Sequence, residues 1–524
     1  MLEKRWFAFA SILAIVLAGG WGETPGQGRA PAEVRLCACE ELLDALIQKV
    51  ETNYPGFVLE IRGTDLEPYY RRLVRDMRDR AATAQPGIPC LRLLQEYVAY
   101  LRDGHLFVGG RPSLSPSDSS RLVAAAPRID RSKAEVLRYL AERDHALDPV
   151  EGLWFDPAGI ELAVTRWYAG ERVAAREDSL VAFVVESNVE AWKPGDVKAK
   201  LWPLPDGSYD VILYDDARAP TRPHVYKRGQ AGGGRLQRGG LLFHVPPTTW
   251  GKRHPVPAGH EGRIDPLDPR APVARIAAPG VVVFHVPSNV PTHASRLNAL
   301  VEQFRGALAR AETLIIDLRG NEGGSTFVTN VFLSYLETSE KRPPRYLAEG
   351  EMAVLSTPDN IAYFERLSWA PAGLVERLRR QPGLLVPFED PVQEAGTGAG
   401  EGAAPLPPAA RPARVAILMD GMTVSAAEAF VLKAMRNQAV TLFGQPTGAS
   451  IDYQTVGIVR FGCRESGLYV GYPTIVGSDR LPEGAVRPDG IQPDVLIDPS
   501  HEDPIRRIIE YYRETRAETR PGYR

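Results

Sequence analysis

Long apolar runs are scarce in this chain of 524 residues. Trp6 to Ala18 forms one, and no second follows, so nothing later in the sequence reads as a membrane span. Charge of one sign is equally scarce. The formal net charge is −3, with acidic and basic residues interspersed. No basic stripe is present and the aromatics are scattered, which excludes nucleic acid as the expected partner. Cysteine occurs four times, at positions 37, 39, 90 and 463. No paired His and no second close Cys pair accompanies Cys37 and Cys39, so no zinc site is expected. No internal repeat is evident.

What is present describes a multidomain globular protein. A hydrophobic content of 44% and a charged content of 24% are ordinary for one. Lys4 and Arg5, the apolar run, then Gly19 and Gly20 follow the order of a secretory signal, assigned to residues 1–22. The protein is therefore expected in a periplasm or outside the cell. No cysteine follows the run closely, which argues against a lipid anchor. An oxidising compartment would permit a bridge from Cys37 or Cys39 to Cys90. Four cysteines allow three full pairings, and sequence does not choose among them. Cys463 sits in a strand-like stretch and reads as a small buried residue.

Three regions are expected beyond the leader. Residues 35–115 read as a helical N-terminal domain, with Leu42, Leu43, Leu46, Ile47 and Val50 at helical spacing. Further helices are expected over Tyr69–Ala81 and Leu91–Leu101. Residues 150–262 read as an antiparallel β module, with a strand at Leu180–Glu186 and a hairpin about Pro205-Asp206-Gly207. Residues 275–500 alternate strands and helices, as α/β layers do. A mobile insertion is expected at 340–412, the end of which is rich in Ala, Gly and Pro.

Two segments of the last region carry candidate chemistry. In TLIIDLRGNEGGS, Thr313 to Ser325, an apolar strand runs into a glycine-dense turn. Ligands of open α/β sheets sit beyond such strand ends, and backbone N–H groups there can hold an oxyanion. In VAILMDGMTVSAAEAF, Val415 to Phe430, a second strand leads to Ser425 at a helix start. A serine there is a nucleophile candidate beside the N–H of Ala426, or simply an N-cap that Glu428 completes as a capping box. A nucleophilic serine needs a base. Of nine His, His105 stands on a turn after a helix and is one candidate among several, whereas His285 lies inside an apolar strand and reads as a satisfied structural residue.

Together these segments resemble one family. DLRGNEGG, then TVSAAEAF, then LFGQPTG is similar to the C-terminal processing (tail-specific) and tricorn-core serine peptidases. LRDGHLFV about His105 resembles the tricorn-like branch, and GIQPDV at Gly490–Val495 resembles the family's closing strand. The resemblance covers residues of about 40 to 110 and 275 to 500. It implies a layered, ClpP/crotonase-like α/β peptidase core, and an exported endopeptidase working through an acyl-enzyme on Ser425. It implies an oxyanion hole from Gly323 or Gly324 with Ala426, and no metal or organic cofactor. The processing branch takes its base from a Lys after GQPTG, but here Gly448-Ala449-Ser450-Ile451 stands in that place. Lys433 lies eight positions along the helix of Ser425, about 12 Å of rise away, and cannot serve. The resemblance therefore implies His105 as base and a later carboxylate, Glu483, as its support, with Asp489 as competitor. Residues 150–260 show no Gly-Leu-Gly-Phe-type loop of a PDZ domain. A peptide or protein is the implied partner, and an oligomer is open. An esterase or amidase with the same pair, and a non-catalytic binding protein on the same fold, are the alternatives.

Overall fold

A computed structural model describes residues 37–110, 116–166, 179–205, 207–222, 234–237, 240–245, 248–256, 264–336, 352–388, 412–463, 466–477, 485–486, 489–498 and 503–518. The expected signal segment, the Ala/Gly/Pro stretch before residue 412 and Glu483 lie outside them.

The C-terminal half is organised by a six-stranded sheet. Its order is Val273–Ala278, Val281–His285, Thr313–Asp317, Arg414–Met419, Val440–Gly444, Val495–Leu496. The first pair is antiparallel and the remaining four pairs are parallel. Parallel strands are covered on both faces, which is why these read as continuous apolar runs rather than alternating ones. Leu314, Ile316, Val415 and Ile417 pack against Leu297, Val301, Phe332 and Phe430 on one face. Ile315, Ala416 and Leu418 pack against Ile505, Ile508 and Tyr512 of the helix Pro504–Glu518 on the other. The glycine turn is followed by a 3₁₀ stretch, Thr326–Phe332, and one α-turn, Leu333–Leu336.

Helices Cys39–Asn53, Pro55–Glu60, Glu67–Ala81 and Ile88–Tyr100 form the N-terminal region. They share one apolar core with Tyr453, Leu468, Val470 and Tyr472 of a distant hairpin. That hairpin, Tyr453–Arg460 with Leu468–Val476, also takes the strand Phe107–Gly110 on its edge. Two disulfides fasten the arrangement, Cys39–Cys90 and Cys37–Cys463. The second corrects the reading of Cys463 as a plain buried residue. Its partner lies 426 positions away, and no local pattern announces that neighbourhood.

The expected mobile insertion is also corrected in part. Residues Met352–Phe388 are folded: strands Met352–Leu355 and Leu385–Phe388 pair with each other, and the former joins Leu468–Val476. Helices Pro358–Phe364 and Leu374–Arg380 close a small core with Val354, Phe364, Leu374 and Val386. Elements of four to seven residues are too short for periodicity to reveal.

The β region is a nine-stranded antiparallel sheet running from Gly152–Asp156 to Thr248–His254. The expected hairpin appears as Val197–Pro203 paired with Tyr209–Tyr214. Trp154, Phe243 and Trp250 fill its centre. Lys252 is buried there, its Nζ donating to the Pro149 carbonyl at 2.7 Å and lying 4.9 Å from the Trp154 ring centroid. Burial pulls this ammonium down to about 8 from 10.5, against the pull of Asp148 and Glu151.

Two outcomes follow from this packing. Cys37→Ser/Cys463→Ser is expected to lose about 2–4 kcal/mol in denaturant unfolding, because the bridge closes a very long loop. An unchanged midpoint would show that the bridge is not formed. Lys252 has a depressed folded pKa, so the unfolded chain binds more protons between about pH 8 and 10.5 and the group's burial cost disappears as pH rises through that window. Lys252→Met should therefore be more stable than wild type at pH 7, by on the order of 3 kcal/mol. Thermal melts should show that gap narrowing toward pH 10, and a pH-independent gap would contradict the burial.

Candidate active site

Three neighbouring parallel strands end at one edge of the six-stranded sheet. Asp317 is level with Leu418, and Met419 with Gly444. The segments that follow, 318–325, 420–425 and 445–452, are thereby delivered side by side, which is where ligands of such sheets bind. Hydrogen bonds stitch the first two together: Gly320 N–H donates to Asp420 Oδ1 at 3.1 Å, Val424 N–H to the Asn321 carbonyl at 3.0 Å, and Thr423 Oγ1 to the Leu318 carbonyl at 3.0 Å. The Gly448 N–H donates to the Thr423 carbonyl at 3.0 Å and brings in the third.

Behind them lies a buried ionic group. Asp317 accepts from Arg319 Nε at 2.9 Å and Nη2 at 2.8 Å, and pairs with His285 Nδ1 at 2.8 Å. His285 is thus a structural residue, as its strand position implies, held through Nδ1 by Asp317. Burial raises the Asp420 carboxyl, while the N–H groups of Gly320 and Met422 and the Arg319 charge pull it back.

Ser425 stands at the start of the helix Ala426–Ala434 with φ 57° and ψ −121°. That backbone region is costly for a residue with a side chain, by about 1–3 kcal/mol, and persists only where the surroundings impose it. What imposes it is Glu428, which is fully buried. Its Oε2 accepts from the N–H of Ser425 at 3.0 Å, the N–H of Ser450 at 2.9 Å and Ser450 Oγ at 2.9 Å. Its Oε1 accepts from Thr447 Oγ1 at 2.6 Å and the N–H of Ala449 at 2.9 Å. The capping-box reading of Glu428 is right about the Ser425 N–H but accounts for one of these five bonds.

Gly323 touches Ser425: a Cβ added there would lie 2.7 Å from Ser425 Cβ and 3.0 Å from the Ala426 nitrogen. Gly324, at φ +132°, has no room either, since its Cβ would sit 2.3 Å from the Asn289 carbonyl oxygen. The Gly323 N–H already donates to Asn321 Oδ1 at 2.9 Å. Of the two glycines expected as alternatives, Gly323 therefore has its N–H engaged within the turn. The Asn289 contacts, Asn289 N–H to the Gly323 carbonyl and Ser325 N–H to the Asn289 carbonyl, leave the Gly324 N–H out of the pattern. Ala426, as the first helical residue, has no acceptor for its N–H within the helix.

His105 is half-buried. Asp103 fixes its turn, taking the His105 N–H at 2.9 Å on Oδ1 and the Tyr54 hydroxyl at 2.8 Å on Oδ2. The ring Nδ1 lies 2.6 Å from the Tyr453 carbonyl oxygen. A carbonyl only accepts, so Nδ1 carries the proton and Nε2 of the neutral ring is the acceptor. Segment 450–453 therefore meets Ser425 at one end, through Ser450, and His105 at the other. Among the described residues no hydrogen bond joins His105 to Ser425 directly. Asp489 is exposed, and Glu483 falls outside the described residues. Lys433 is exposed on the helix, as its distance along the sequence implies.

Sequence reasoning missed Ser450, Tyr453 and the clamping role of Glu428. The Glu three residues after Ser425 was a visible signal for the last. Nothing local marks Tyr453, since its contribution is a backbone carbonyl. Among the described residues no cluster of His, Cys, Asp and Glu suits a metal ion.

Residues 280–497 match the model of Peptidase family S41. No curated protein matches the chain. Among solved structures, a lipoprotein from Streptococcus agalactiae aligns at 12% identity over 93% of this chain and 100% of its own, with a TM-score of 0.35. Mature CPAF complexed with lactacystin aligns at 14% identity over 87% of this chain and 94% of its own, TM-score 0.40. The photosystem II D1 C-terminal processing protease aligns at 12% identity over 89% and 94%, TM-score 0.31.

The clamp generates a test. Glu428→Gln puts an amide N–H₂ among donors and should cost about 2–4 kcal/mol in unfolding free energy. It should also abolish reaction of Ser425 with a fluorophosphonate. Lys433→Ala should change neither, and a loss of labelling in that variant would contradict the exclusion of a lysine base.

Proposed function

We propose that this chain is a serine-type peptidase acting on a peptide or protein, with Ser425 as its nucleophile and His105 as its base, a reading that the match of residues 280–497 to Peptidase family S41 supports. The observation that carries the reading is the backbone of Ser425, held at φ 57° on a strand-to-helix turn with Gly323 and the Ala426 nitrogen packed against it. A strained serine at a helix N-terminus, with backbone donors facing it, is an arrangement suited to acyl transfer.

Ser425 Oγ attacks the substrate carbonyl carbon as His105 Nε2 takes its proton. The N–H groups of Ala426 and Gly324 receive the oxyanion. The C–N bond then breaks, and protonated His105 gives its proton to the departing amine. Water, deprotonated by the same ring, hydrolyses the acyl-enzyme and returns Ser425. The Tyr453 carbonyl holds the ring in the tautomer that these steps require. In this reading the Tyr453 carbonyl takes the ring position that a supporting carboxylate would hold, while Glu483, which the family resemblance assigns to that role, lies outside the described residues.

The chain is exported in this reading. Lys4 and Arg5 before the Trp6–Ala18 run support it, as do two disulfides among the described residues. Among the described residues no helix is long and apolar enough to cross a membrane.

Wild type should cleave casein-derived peptides, and both Ser425→Ala and His105→Gln should lose at least about a thousandfold in kcat/KM while keeping their melting temperatures. Cleavage retained in His105→Gln would overturn the base assignment. Hydrolysis of esters but of no peptide would favour the esterase alternative. For export, N-terminal sequencing of the protein from fractionated cells should find it outside the cytoplasm and starting at about residue 23, where a signal of the usual length ends. An intact Met1 in the cytoplasm would contradict this.

A further inference from the structure

The nine-stranded sheet reaches the turn that borders Ser425. His244, on the strand Leu242–Val245, is buried, and its Nε2 pairs with the carboxylate of Glu322. Its other ring nitrogen lies 3.1 Å from Thr249 Oγ1 on the next strand. Glu322 directly precedes Gly323, so the sheet grips the segment against which Ser425 packs.

Beside this contact is a cavity of about 180 Å³. Leu242 and Thr249 from the sheet form one wall, and Ser288, Glu322 and Gly324 form the other. Arg270, on the segment joining the two regions, also lines it. The cavity thus reaches Gly323, which packs against Ser425, and is walled mainly by the core, with the sheet closing one side.

Its charges are unequally engaged. Glu322 is taken by His244. Arg270 has no carboxylate within salt-bridge distance among the described residues, and its Nε is buried without a hydrogen-bond partner there. The nearby Asp268 feels the Arg270 charge but spends its hydrogen bonds on the backbone N–H of Arg270 at 2.9 Å and on His293 Nε2 at 2.9 Å. A half-buried guanidinium with an unused donor calls for an anionic acceptor, and a carboxylate is the geometric match for its fork.

We propose that this cavity is a substrate subsite that takes a side-chain carboxylate through Arg270, making the peptidase selective for an acidic residue next to the scissile bond. The inserted sheet is then part of the substrate site. The proposal rests on the reading of Ser425 as nucleophile, so its test is a binding measurement that needs no turnover.

Full-length Ser425→Ala would be titrated with fluorescent short peptides in which Glu, Gln or Lys is walked through each position, each with a free or an amidated C-terminus. Polarisation should show the carboxylate-bearing peptides binding about tenfold or more tighter than their neutral counterparts, the size of one charge-assisted contact. Retention of the preference after amidation identifies an acidic side chain as its source. Loss on amidation would assign it to the chain end and overturn the proposal. Adding Arg270→Gln should erase the preference, Arg270→Lys should keep part of it, and Arg270→Glu should transfer it to the Lys peptides. Equal binding of acidic and neutral peptides, or a preference untouched in a folded Arg270→Gln protein, would overturn the proposal. Absence of Ser425-dependent cleavage in wild type would instead strike the catalytic reading and leave the binding result standing.

Discussion

One buried carboxylate organises the site. Glu428 gathers five hydrogen bonds from Ser425, Thr447, Ala449 and Ser450. A buried anion without such donors would be far too costly to keep. With them, it converts two separate segments into one rigid unit. The strain at Ser425 follows, because its N–H must face Glu428 while its carbonyl already opens the helix, accepting from Ala429. The closing segment is tied in as well, since Thr447 Oγ1 accepts from the Ile491 N–H at 2.8 Å. Register makes this possible. Parallel pairing of Thr313–Asp317, Arg414–Met419 and Val440–Gly444 brings the three segments to one edge before any side chain acts.

The rest of the molecule is arranged about that unit from two sides. The N-terminal helices and the Cys37–Cys463 bridge hold the hairpin whose first residue, Tyr453, orients His105. His105 and Ser425 come from regions more than three hundred positions apart. Tyr453, whose carbonyl His105 reaches, lies in an apolar core shared between the N-terminal helices and the distant hairpin. From the other side, His244 of the nine-stranded sheet reaches Glu322 on the glycine turn. The bridge acts on the unfolded chain, by shortening its largest loop. The His244 contact acts on the folded state alone.

Strong patterns were legible in the sequence and weak ones were not. The strands of the parallel core read directly, because burial on both faces leaves unbroken apolar runs such as TLII and VAILM. The helix after Ser425 read correctly from its serine start. The short elements of Met352–Phe388 did not, since each makes sense only against Leu468–Val476. At the site, residues acting through side chains near a motif could be named, but backbone contributions could not. Tyr453 supplies a carbonyl, Gly323 loses its N–H to Asn321, and the φ of Ser425 leaves no trace in its letter. Cys463 shows the same limit at long range.

The most direct measurement is the identity of the residue that a fluorophosphonate modifies, read by tandem mass spectrometry of the digested protein. A serine activated by His105 predicts one adduct, on Ser425, that disappears when His105 is replaced by Ala. An adduct on another residue, or one on Ser425 that forms at the same rate without His105, would contradict the pairing of these two residues.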